Sequence, residues 1–364
     1  MTMKVSGKKY TSIWRNEHKQ VFIIDQRTLP HEFKVVELKN LNDFCLAIKD
    51  MLVRGAPLIG VTAAYGVAIS FLAGYKKNDL DFICNRLLET RPTAVNLFWA
   101  LEEMKKFLSS INKNEIVEYA FKKADEILEL DIISNRKIGE YGLGVIQQIL
   151  KKKQSNKINI LTHCNAGWLA TVDWGTATSP IYHAKQKGID IHVFVDETRP
   201  RNQGAQLTVW ELNHNNISHE LIVDNAGGHL MQHGEIDMVL VGSDRTTATG
   251  DVCNKIGTYL KALSAYDNKI PFYVALPAST IDWNLKNGLT EIPIEERDQA
   301  EVSHIQGLLA NDNIEKVNIS LIGTSCRNPA FDVTPSRLVS GLITDYGVYK
   351  ANENSLKALK EMVT

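Results

Sequence analysis

The C-terminal part of the chain repeats short β-branched runs, and this rhythm limits the fold more than any other feature of the sequence. Most of the runs are separated by segments long enough for a crossover helix, which is typical of parallel strands in one sheet. The runs are KINIL (157–161), IHVFV (191–195), ELIV (220–223), DMVLV (237–241), PFYVA (271–275) and VNISLI (317–322). We therefore expect a Rossmann-like, doubly wound parallel sheet within a C-terminal domain, residues 151–364.

The N-terminal part has a different texture. Two short extended pieces, QVFIID (20–25) and FKVVEL (33–38), precede a series of helical patterns. Those patterns cover residues 42–53, 57–74, 78–88, 95–108 and 114–129. They predict a smaller domain of mixed strands and helices over residues 1–128, with a long helix over 129–150 joining it to the sheet. Two domains also suit a chain of 364 residues, which exceeds the usual size of one compact core. The predicted fold class is α/β.

Composition and charge exclude several kinds of protein. A net charge of −1 gives no electrostatic reason to expect nucleic acid or an anionic membrane as a partner. The most apolar segment, residues 58–74, is shorter than the ~20 residues that a membrane-spanning helix needs. The polar N-terminus lacks the apolar core of a signal peptide. We expect a soluble cytoplasmic protein.

The five cysteines support the same compartment. They are far apart in the sequence and never form a CxxC pair, which argues against a disulfide framework or a zinc site. Their positions are Cys45, Cys84, Cys164, Cys253 and Cys326. A reducing environment is therefore expected.

Polar segments follow three of the predicted strands. THCNAG (162–167) comes after the first strand, DETRPRNQGAQ (196–206) after the second, and GSDRTTATGDVCNKIG (242–257) after the run at 237–241. Ligands of open α/β sheets bind in the crevice at the carboxyl ends of the strands. One polar loop means little, but three that carry Asp, Arg, Gln, Asn and Lys are hard to explain as scaffold. We predict a binding site at this edge of the sheet.

Seven segments, in order and over nearly the whole chain, resemble the methylthioribose-1-phosphate isomerase family. They are DQRTLP (25–30), RGAPLIG (54–60), RPTAVNL (91–97), THCNAG (162–167), DETRPRNQGAQLTVWEL (196–212), SDRTTATGDVCNKIGTY (243–259) and PFYVALPASTID (271–282). The wider superfamily includes ribose-1,5-bisphosphate isomerases and regulatory subunits of initiation factor 2B. The first and third segments favour the methylthioribose branch.

The resemblance implies conversion of 5-methylthioribose 1-phosphate to 5-methylthioribulose 1-phosphate, a step of methionine salvage. Because the phosphate ester blocks the anomeric oxygen, the ring cannot open by the ordinary hemiacetal route. The enzyme must protonate the ring oxygen, open the ring and move hydrogen between C2 and C1. That chemistry needs two proton-handling groups, a firm phosphate site and a dry pocket.

This reaction requires no metal or organic cofactor, and none is expected. The resemblance also implies a homodimer.

By resemblance, Cys164 and Asp244 are the catalytic pair. Both lie just beyond predicted strand ends, so they can face each other across the crevice. A thiol near its ordinary pKa of ~8.5 can serve as an acid, and burial keeps it protonated. The alternatives are a packed core cysteine and an aspartate that caps a helix or pairs with Arg245. A dyad with His163 is not expected, because neighbouring strand residues point to opposite faces.

Phosphate binding is assigned to the RGAP segment. Pro57 suits the first turn of a helix, so the N–H groups of Gly55 and Ala56 can point at an anion. Arg54 adds a bidentate charge. By resemblance, further positions hold phosphate and sugar hydroxyls: Arg91, Gln203, Asn254 and Lys255.

Three of these positions have an alternative, purely structural role. Arg91 has the alternative of a structural ion pair. Asn254 and Lys255 follow TGDV at a predicted helix start, where they would form a capping motif with a solvated lysine.

Some features leave the identity of the substrate open. Trp168 and Trp174 either shape the pocket for the 5-substituent or pack the following helix. Ser243 stands where a smaller residue is expected, and Cys253 is expected to be packing. One alternative is therefore an isomerase of 5-deoxyribose 1-phosphate or another ribose 1-phosphate. Another is a non-catalytic regulatory protein that senses a sugar phosphate or nucleotide.

Overall fold

The computed structural model describes residues 3–91 and 94–363; Pro92 and Thr93 of the RPTAVNL segment lie outside this range. The helices are α1 (Leu41–Lys49), α2 (Ala56–Leu72), α3 (Leu80–Leu88), α4 (Val95–Leu108), α5 (Ile116–Lys153), α6 (Thr178–Gln186), α7 (Val209–His214), α8 (Ala226–Gln232), α9 (Thr258–Asp267), α10 (Gly288–Glu291), α11 (Ala300–Ser303) and α12 (Glu353–Val363). Shorter 3-10 turns are at Lys77–Asp79, Trp168–Ala170, Ala278–Thr280 and Ser336–Leu338, and a π-helical turn is at Gly204–Thr208.

Within residues 3–91 and 94–363 the strands fall into five sheets. Their bounds are β1 (Met3–Val5), β2 (Lys8–Tyr10), β3 (Ile13–Arg15), β4 (Val21–Ile24), β5 (Val35–Leu38), β6 (Lys157–Thr162), β7 (Asp190–Asp196), β8 (Ser218–Ile222), β9 (Met238–Val241), β10 (Arg245–Thr247), β11 (Val252–Lys255), β12 (Phe272–Ala275), β13 (Ile281–Asp282), β14 (His304–Leu308), β15 (Ile314–Asn318), β16 (Phe331–Thr334), β17 (Gly341–Thr344) and β18 (Gly347–Tyr349).

The largest sheet confirms the predicted parallel, doubly wound architecture. Its order is β18-β17-β12-β9-β6-β7-β8, and every neighbouring pair is parallel except β17 and β18. From β6 the chain proceeds to β7 and β8 on one side, then crosses back to β9, β12 and β17 on the other. The switch point lies between β6 and β9, where an open α/β sheet leaves a crevice beyond its carboxyl edge.

One predicted strand is wrong. VNISLI (317–322) was expected to extend the parallel sheet, but only its first two residues are in a strand, and that strand is β15 of a separate hairpin with β14. Ile319, Leu321 and Ile322 are 55%, 82% and 88% exposed. All four residues of β17 are buried, and β17 takes the place next to β12. An apolar, β-branched run does not reveal whether a neighbouring strand will cover it.

The predicted N-terminal helices pack on a small antiparallel sheet. That sheet has the order β3-β4-β5 and shares a hydrophobic core with α1 to α4 and the first half of α5. Fifteen of the 17 residues of α2 are buried, so the most apolar segment of the sequence is a core helix. Within the described ranges, no helix combines the length and apolarity needed to cross a membrane.

Helix α5 is one 38-residue helix that covers both the predicted helix at 114–129 and the predicted joining helix at 129–150. Ala124 and Ile127 in its first half pack in the N-terminal core. Ile138 and Ile146 in its second half pack in the core of the parallel sheet. The domain limits themselves stay a prediction, because this helix runs through both of them.

The glycines of GEYGLG (139–144) have a packing role within α5. A Cβ atom at Gly142 would lie 2.4 Å from Pro180 Cγ, and one at Gly139 would lie 2.2 Å from Ser179 Oγ. Pro180 and Ser179 belong to α6, so α5 and α6 approach closely only because these positions lack side chains.

This contact predicts opposite outcomes for two glycines of one helix. Gly142→Ala should lower the free energy of unfolding by about 1–3 kcal/mol, because the added methyl group overpacks against Pro180. Gly144 is the matched control: nothing lies within 4 Å of its Cβ position. Gly144→Ala should raise the free energy of unfolding by about 0.5–1 kcal/mol, since alanine favours a helix interior more than glycine does. Urea unfolding of the two variants measures both values, and equal effects would contradict the packing role.

Candidate active site

One cavity at the carboxyl edge of the parallel sheet collects every residue that the sequence assigned to the site. It lies beyond the ends of β6 and β9 and is closed on the other side by the start of α2. The predicted residues that line it are Arg54, Gly55, Ala56, Arg91, Cys164, Gln203, Asp244, Asn254 and Lys255. Side chains from both halves of the chain thus meet at one place.

Cys164 follows β6 and has an unusual backbone conformation. Its φ of +67° lies in the left-handed region, which residues with a Cβ atom rarely adopt. Two hydrogen bonds hold it there: its N–H donates to Thr198 Oγ1 at 2.8 Å, and its carbonyl accepts from Thr208 Oγ1 at 2.7 Å. Strained backbone of this kind persists only where the surroundings impose it. The side chain is 8% exposed and faces the cavity.

Burial shifts the pKa values of Cys164 and Asp244 in the same direction. It raises the pKa of the Cys164 thiol, against the opposing pull of Arg54 and Lys255. It also raises the pKa of Asp244, although Lys255, Arg91 and Arg54 favour the ionised carboxylate. The thiol therefore keeps its proton at neutral pH, while three nearby cations stabilise negative charge on Asp244.

The sequence predicted no dyad between His163 and Cys164, and the structure shows none. His163 Nδ1 lies 2.8 Å from Asp196 Oδ2 and its Nε2 lies 2.8 Å from the carbonyl oxygen of Ile256, so both ring nitrogens are engaged. His163, Asp196 and Asp224 are close enough to suggest metal ligands. However, the Lys261 ammonium lies 3.2 Å from Asp196 Oδ2 and also donates to the carbonyl oxygen of Asp224. A lysine thus occupies this cluster, which lies outside the lining of the cavity.

The RGAP segment forms the start of α2. Gly55 is the N-cap residue with no side-chain cap, and Pro57 is in the first turn. Gly55 has φ +90°, and a Cβ atom there would lie 2.4 Å from the carbonyl oxygen of Ala170. Only glycine fits this turn, which leaves the positive end of α2 open to the cavity.

Arg54 is held beside the helix start by Asn165. Its Nη1 donates to Asn165 Oδ1 and its Nη2 donates to the Asn165 carbonyl oxygen, both at 2.6 Å. The guanidinium is therefore fixed in one orientation at the wall of the cavity.

Two polar atoms of residues that line the cavity are buried without a hydrogen-bond partner among the described residues. They are Arg91 Nε and Gln203 Oε1. Arg91 does form the ion pair that the alternative required, since its Nη2 lies 3.5 Å from Glu295 Oε2. Burial lowers the pKa of Arg91, while Glu295 and Asp244 oppose that shift. A buried unsatisfied group is costly, so a polar ligand would relieve both positions.

The alternative for Asn254 and Lys255 is wrong. Both lie in β11, not at a helix start, and Lys255 is only 6% exposed. Its ammonium lies 4.8 Å from the centre of the Phe331 ring. Burial lowers the pKa of Lys255, and the nearby Cys164 and Asp244 oppose this shift. A neighbouring strand, β16, pairs with β11 and buries the lysine, which a local sequence pattern does not reveal.

Other features were missed or settled by the structure. Cys253 was expected to be packing, and it is buried, but it also lines the cavity. Trp168 and Trp174 pack in hydrophobic cores and do not line the cavity. The apolar wall comes from separate segments that carry no common motif: Met51, Ile59, Ala94, Ile292, Pro293 and Phe331.

The lining residues suit an anionic ligand that exchanges protons. They offer four cationic side chains and an open helix N-terminus for a phosphate, with two thiols and one half-buried carboxylate close by. The cations outnumber the lining carboxylates, and oxygen-rich or thiolate-rich sites for Ca²⁺, Mg²⁺ or Zn²⁺ have the opposite balance.

Two solved structures show the same architecture. The crystal structure of 5-methylthioribose 1-phosphate isomerase from Pyrococcus horikoshii is 40% identical, with a TM-score of 0.82 over 97% of this chain and 96% of that chain. The crystal structure of the translation initiation factor eIF-2B, subunit delta, from A. fulgidus is 37% identical, with a TM-score of 0.78 over 96% of this chain and 99% of that chain.

Sequence comparison confirms the predicted resemblance. The sequence profile of the Initiation factor 2 subunit family matches residues 52–351. The methylthioribose-1-phosphate isomerase of Brucella anthropi is 60% identical over 98% of this chain and 99% of its own length. That of Cereibacter sphaeroides is 58% identical over 98% of both. The chain therefore belongs to the Initiation factor 2 subunit family and, within it, to the methylthioribose-1-phosphate isomerases.

Proposed function

We propose that this protein converts 5-methylthioribose 1-phosphate to 5-methylthioribulose 1-phosphate, an aldose–ketose isomerisation of methionine salvage. One observation carries the proposal. Cys164 and Asp244, on loops after adjacent strands, line the same cavity as the open start of α2 and four cationic side chains. An acid, a base and an anion site are the parts that this reaction needs.

The phosphate of the substrate is assigned to the start of α2. The N–H groups of Gly55 and Ala56 and the guanidinium of Arg54 would hold it, because a helix N-terminus and an arginine both favour a phosphate dianion. Arg91, Gln203, Asn254 and Lys255 would hold the remaining phosphate oxygens and the sugar hydroxyls. The unpartnered atoms of Arg91 and Gln203 support this assignment.

Cys164 and Asp244 are the catalytic pair of the proposal. The Cys164 thiol donates its proton to the ring oxygen as the C1–O4 bond breaks. Hydrogen moves from C2 to the electron-deficient C1 as a hydride, and Asp244 takes the proton of the 2-hydroxyl as the C2 carbonyl forms. One proton enters the substrate and one leaves it, so the product is an isomer and the two protein groups need only exchange a proton to reset. The raised pKa of the thiol and the three cations around Asp244 support these roles.

The apolar wall supports the 5-methylthio substituent of the proposed substrate. Met51, Ile292 and Phe331 offer an uncharged surface suited to a methylthio group.

The proposed site of action is the cytoplasm, since the cysteines within the described residues are all free. The proposed assembly is a homodimer. It would cover apolar side chains that a single chain exposes, such as Leu289 and Leu321.

The catalytic roles predict large losses of turnover. Each group should contribute about 100- to 10,000-fold to the rate, so Cys164→Ser and Asp244→Asn should each lower kcat by at least that range. Serine keeps the shape of cysteine but is a far weaker acid. Ketose formation from 5-methylthioribose 1-phosphate, followed in the presence of a chelator, measures both effects. Cys326→Ser is the matched control, because Cys326 lies outside the cavity, and it should keep wild-type turnover. A folded Cys164→Ser protein of near wild-type rate would remove the acid from the proposal.

The phosphate site predicts a loss of binding. Arg54→Ala should weaken substrate binding by roughly 2–4 kcal/mol, because a charge-assisted contact to a buried anion is lost. The fold should survive, since the side-chain hydrogen bonds of Arg54 within the described residues go only to Asn165, in the loop after β6. Calorimetric titration with substrate and with inorganic phosphate measures the change. Arg136→Ala, on the exposed face of α5, is the control. Unchanged affinity for both ligands in the Arg54 variant would show that the anion site is elsewhere.

The pH dependence follows from the two shifted groups. Asp244 must be ionised to accept a proton, so kcat/KM should fall as the pH drops through its pKa, which burial raises above the ordinary value of about 3.9. Cys164 must be protonated to donate, so kcat/KM should also fall as the pH rises through its pKa, raised above about 8.5. A profile of kcat/KM against pH measures both limbs, and Cys164→Ser should move the alkaline limb. An alkaline limb that the serine variant leaves in place would contradict the role of the thiol.

A further inference from the structure

Glu211 is a fully buried carboxylate that lies outside the cavity and holds the loop after Cys164. Its Oε1 accepts from Asn165 Nδ2 at 2.9 Å and from the N–H of Leu169 at 2.8 Å. Its Oε2 accepts from the N–H of Trp168 at 2.8 Å and from Tyr182 Oη at 3.0 Å. Three of these four donors belong to one short segment, residues 165–169.

The arrangement requires a carboxylate. An ionised carboxyl group has about four acceptor positions and no donor, which matches four donors. A glutamine would present an NH₂ group to at least one N–H donor and leave it without a partner. The loop also packs directly on this side chain, because a Cβ atom at Gly167 would lie 2.1 Å from Glu211 Oε2. Neither glutamine at 211 nor a side chain at 167 fits without a shift.

Glu211 decides which way the Asn165 amide faces. Asn165 Nδ2 donates to Glu211 and, at 3.2 Å, to Thr208 Oγ1. The amide oxygen is thereby turned toward Arg54, whose Nη1 donates to it at 2.6 Å. A flipped amide would set its NH₂ group against a guanidinium that has only donors.

We propose that Glu211 is a positioning residue: through the Asn165 amide it fixes the Arg54 guanidinium in the orientation that binds phosphate. The inference rests on the proposed phosphate site at Arg54. It does not require Glu211 to touch the substrate, because the carboxylate lies behind the loop. Fixing one orientation in advance spares the arginine the entropy cost of being ordered when the ligand binds.

Titration with inorganic phosphate tests the link without any turnover. Glu211→Gln should weaken phosphate binding about 10-fold in the wild-type background, and by less than about twofold when Arg54→Ala is already present. This non-additivity separates positioning through Arg54 from a general loss of structure. Tyr182→Phe is the matched control: it removes one donor to Glu211 but leaves Asn165 untouched, so phosphate affinity should change by less than about twofold.

A second variant covers the case in which Glu211→Gln does not fold. Asn165→Ala removes the amide that joins Glu211 to Arg54, and it should also weaken phosphate binding more strongly with Arg54 present than in the Arg54→Ala background. In the isomerase assay, both variants should raise KM by a larger factor than they lower kcat.

The outcomes distinguish the positioning role of Glu211 from the proposed isomerisation. Equal losses of phosphate affinity in the two backgrounds, or a Tyr182→Phe loss as large as that of Glu211→Gln, would overturn the positioning role. A wild-type protein that does not bind phosphate would overturn it as well. Non-additive phosphate binding in a protein that never forms the ketose would uphold the positioning role and overturn only the proposed isomerisation.

Discussion

The pairing of β6 with β9 is the contact on which the site depends. The two strands are neighbours in the sheet although 77 residues lie between Leu161 and its partner, since Ile160 pairs with Met238 and Leu161 with Val239. Because the strands are parallel, both chains leave the sheet at the same edge. The loop that carries Cys164 and the loop that carries Asp244 therefore begin side by side, at the point where the strand order reverses.

The loop after β6 is also where the two halves of the chain are joined. Ser12 Oγ donates to the carbonyl oxygen of Trp168 at 2.9 Å, and Gln26 Nε2 donates to that of Leu169 at 2.8 Å. Glu211 binds the N–H groups of the same two residues from the other side. The segment is thus held at once by residues that flank the strands of the N-terminal sheet and by α7. Such a segment can carry a cysteine in a left-handed conformation, because its surroundings supply the energy that the conformation costs.

Burial and charge act together in the cavity. A thiol and a carboxylate in a poorly solvated place both favour the protonated form, and the cations Arg54, Arg91 and Lys255 oppose that tendency. The same cations are costly to bury, and Arg91 and Lys255 have lowered pKa values for that reason. A negatively charged ligand would offset part of this cost.

The sequence by itself determined the parallel sheet and the polar segments at its edge, and it predicted, partly by resemblance, the roles of Cys164, Asp244 and RGAP. Those features are local: a β-branched run buries itself in a sheet, and the residues just beyond it stand at the edge. Tertiary structure alone decided which of two apolar segments became the sheet strand next to β12, because a run such as VNISLI does not record whether a neighbour will cover it. It also decided that Lys255 is buried in β11, that the glycines of α5 admit α6, and that Glu211 orients Asn165. Each depends on a partner distant in the sequence, and hydrogen-bonding and packing partners of that kind are set only when the chain has folded.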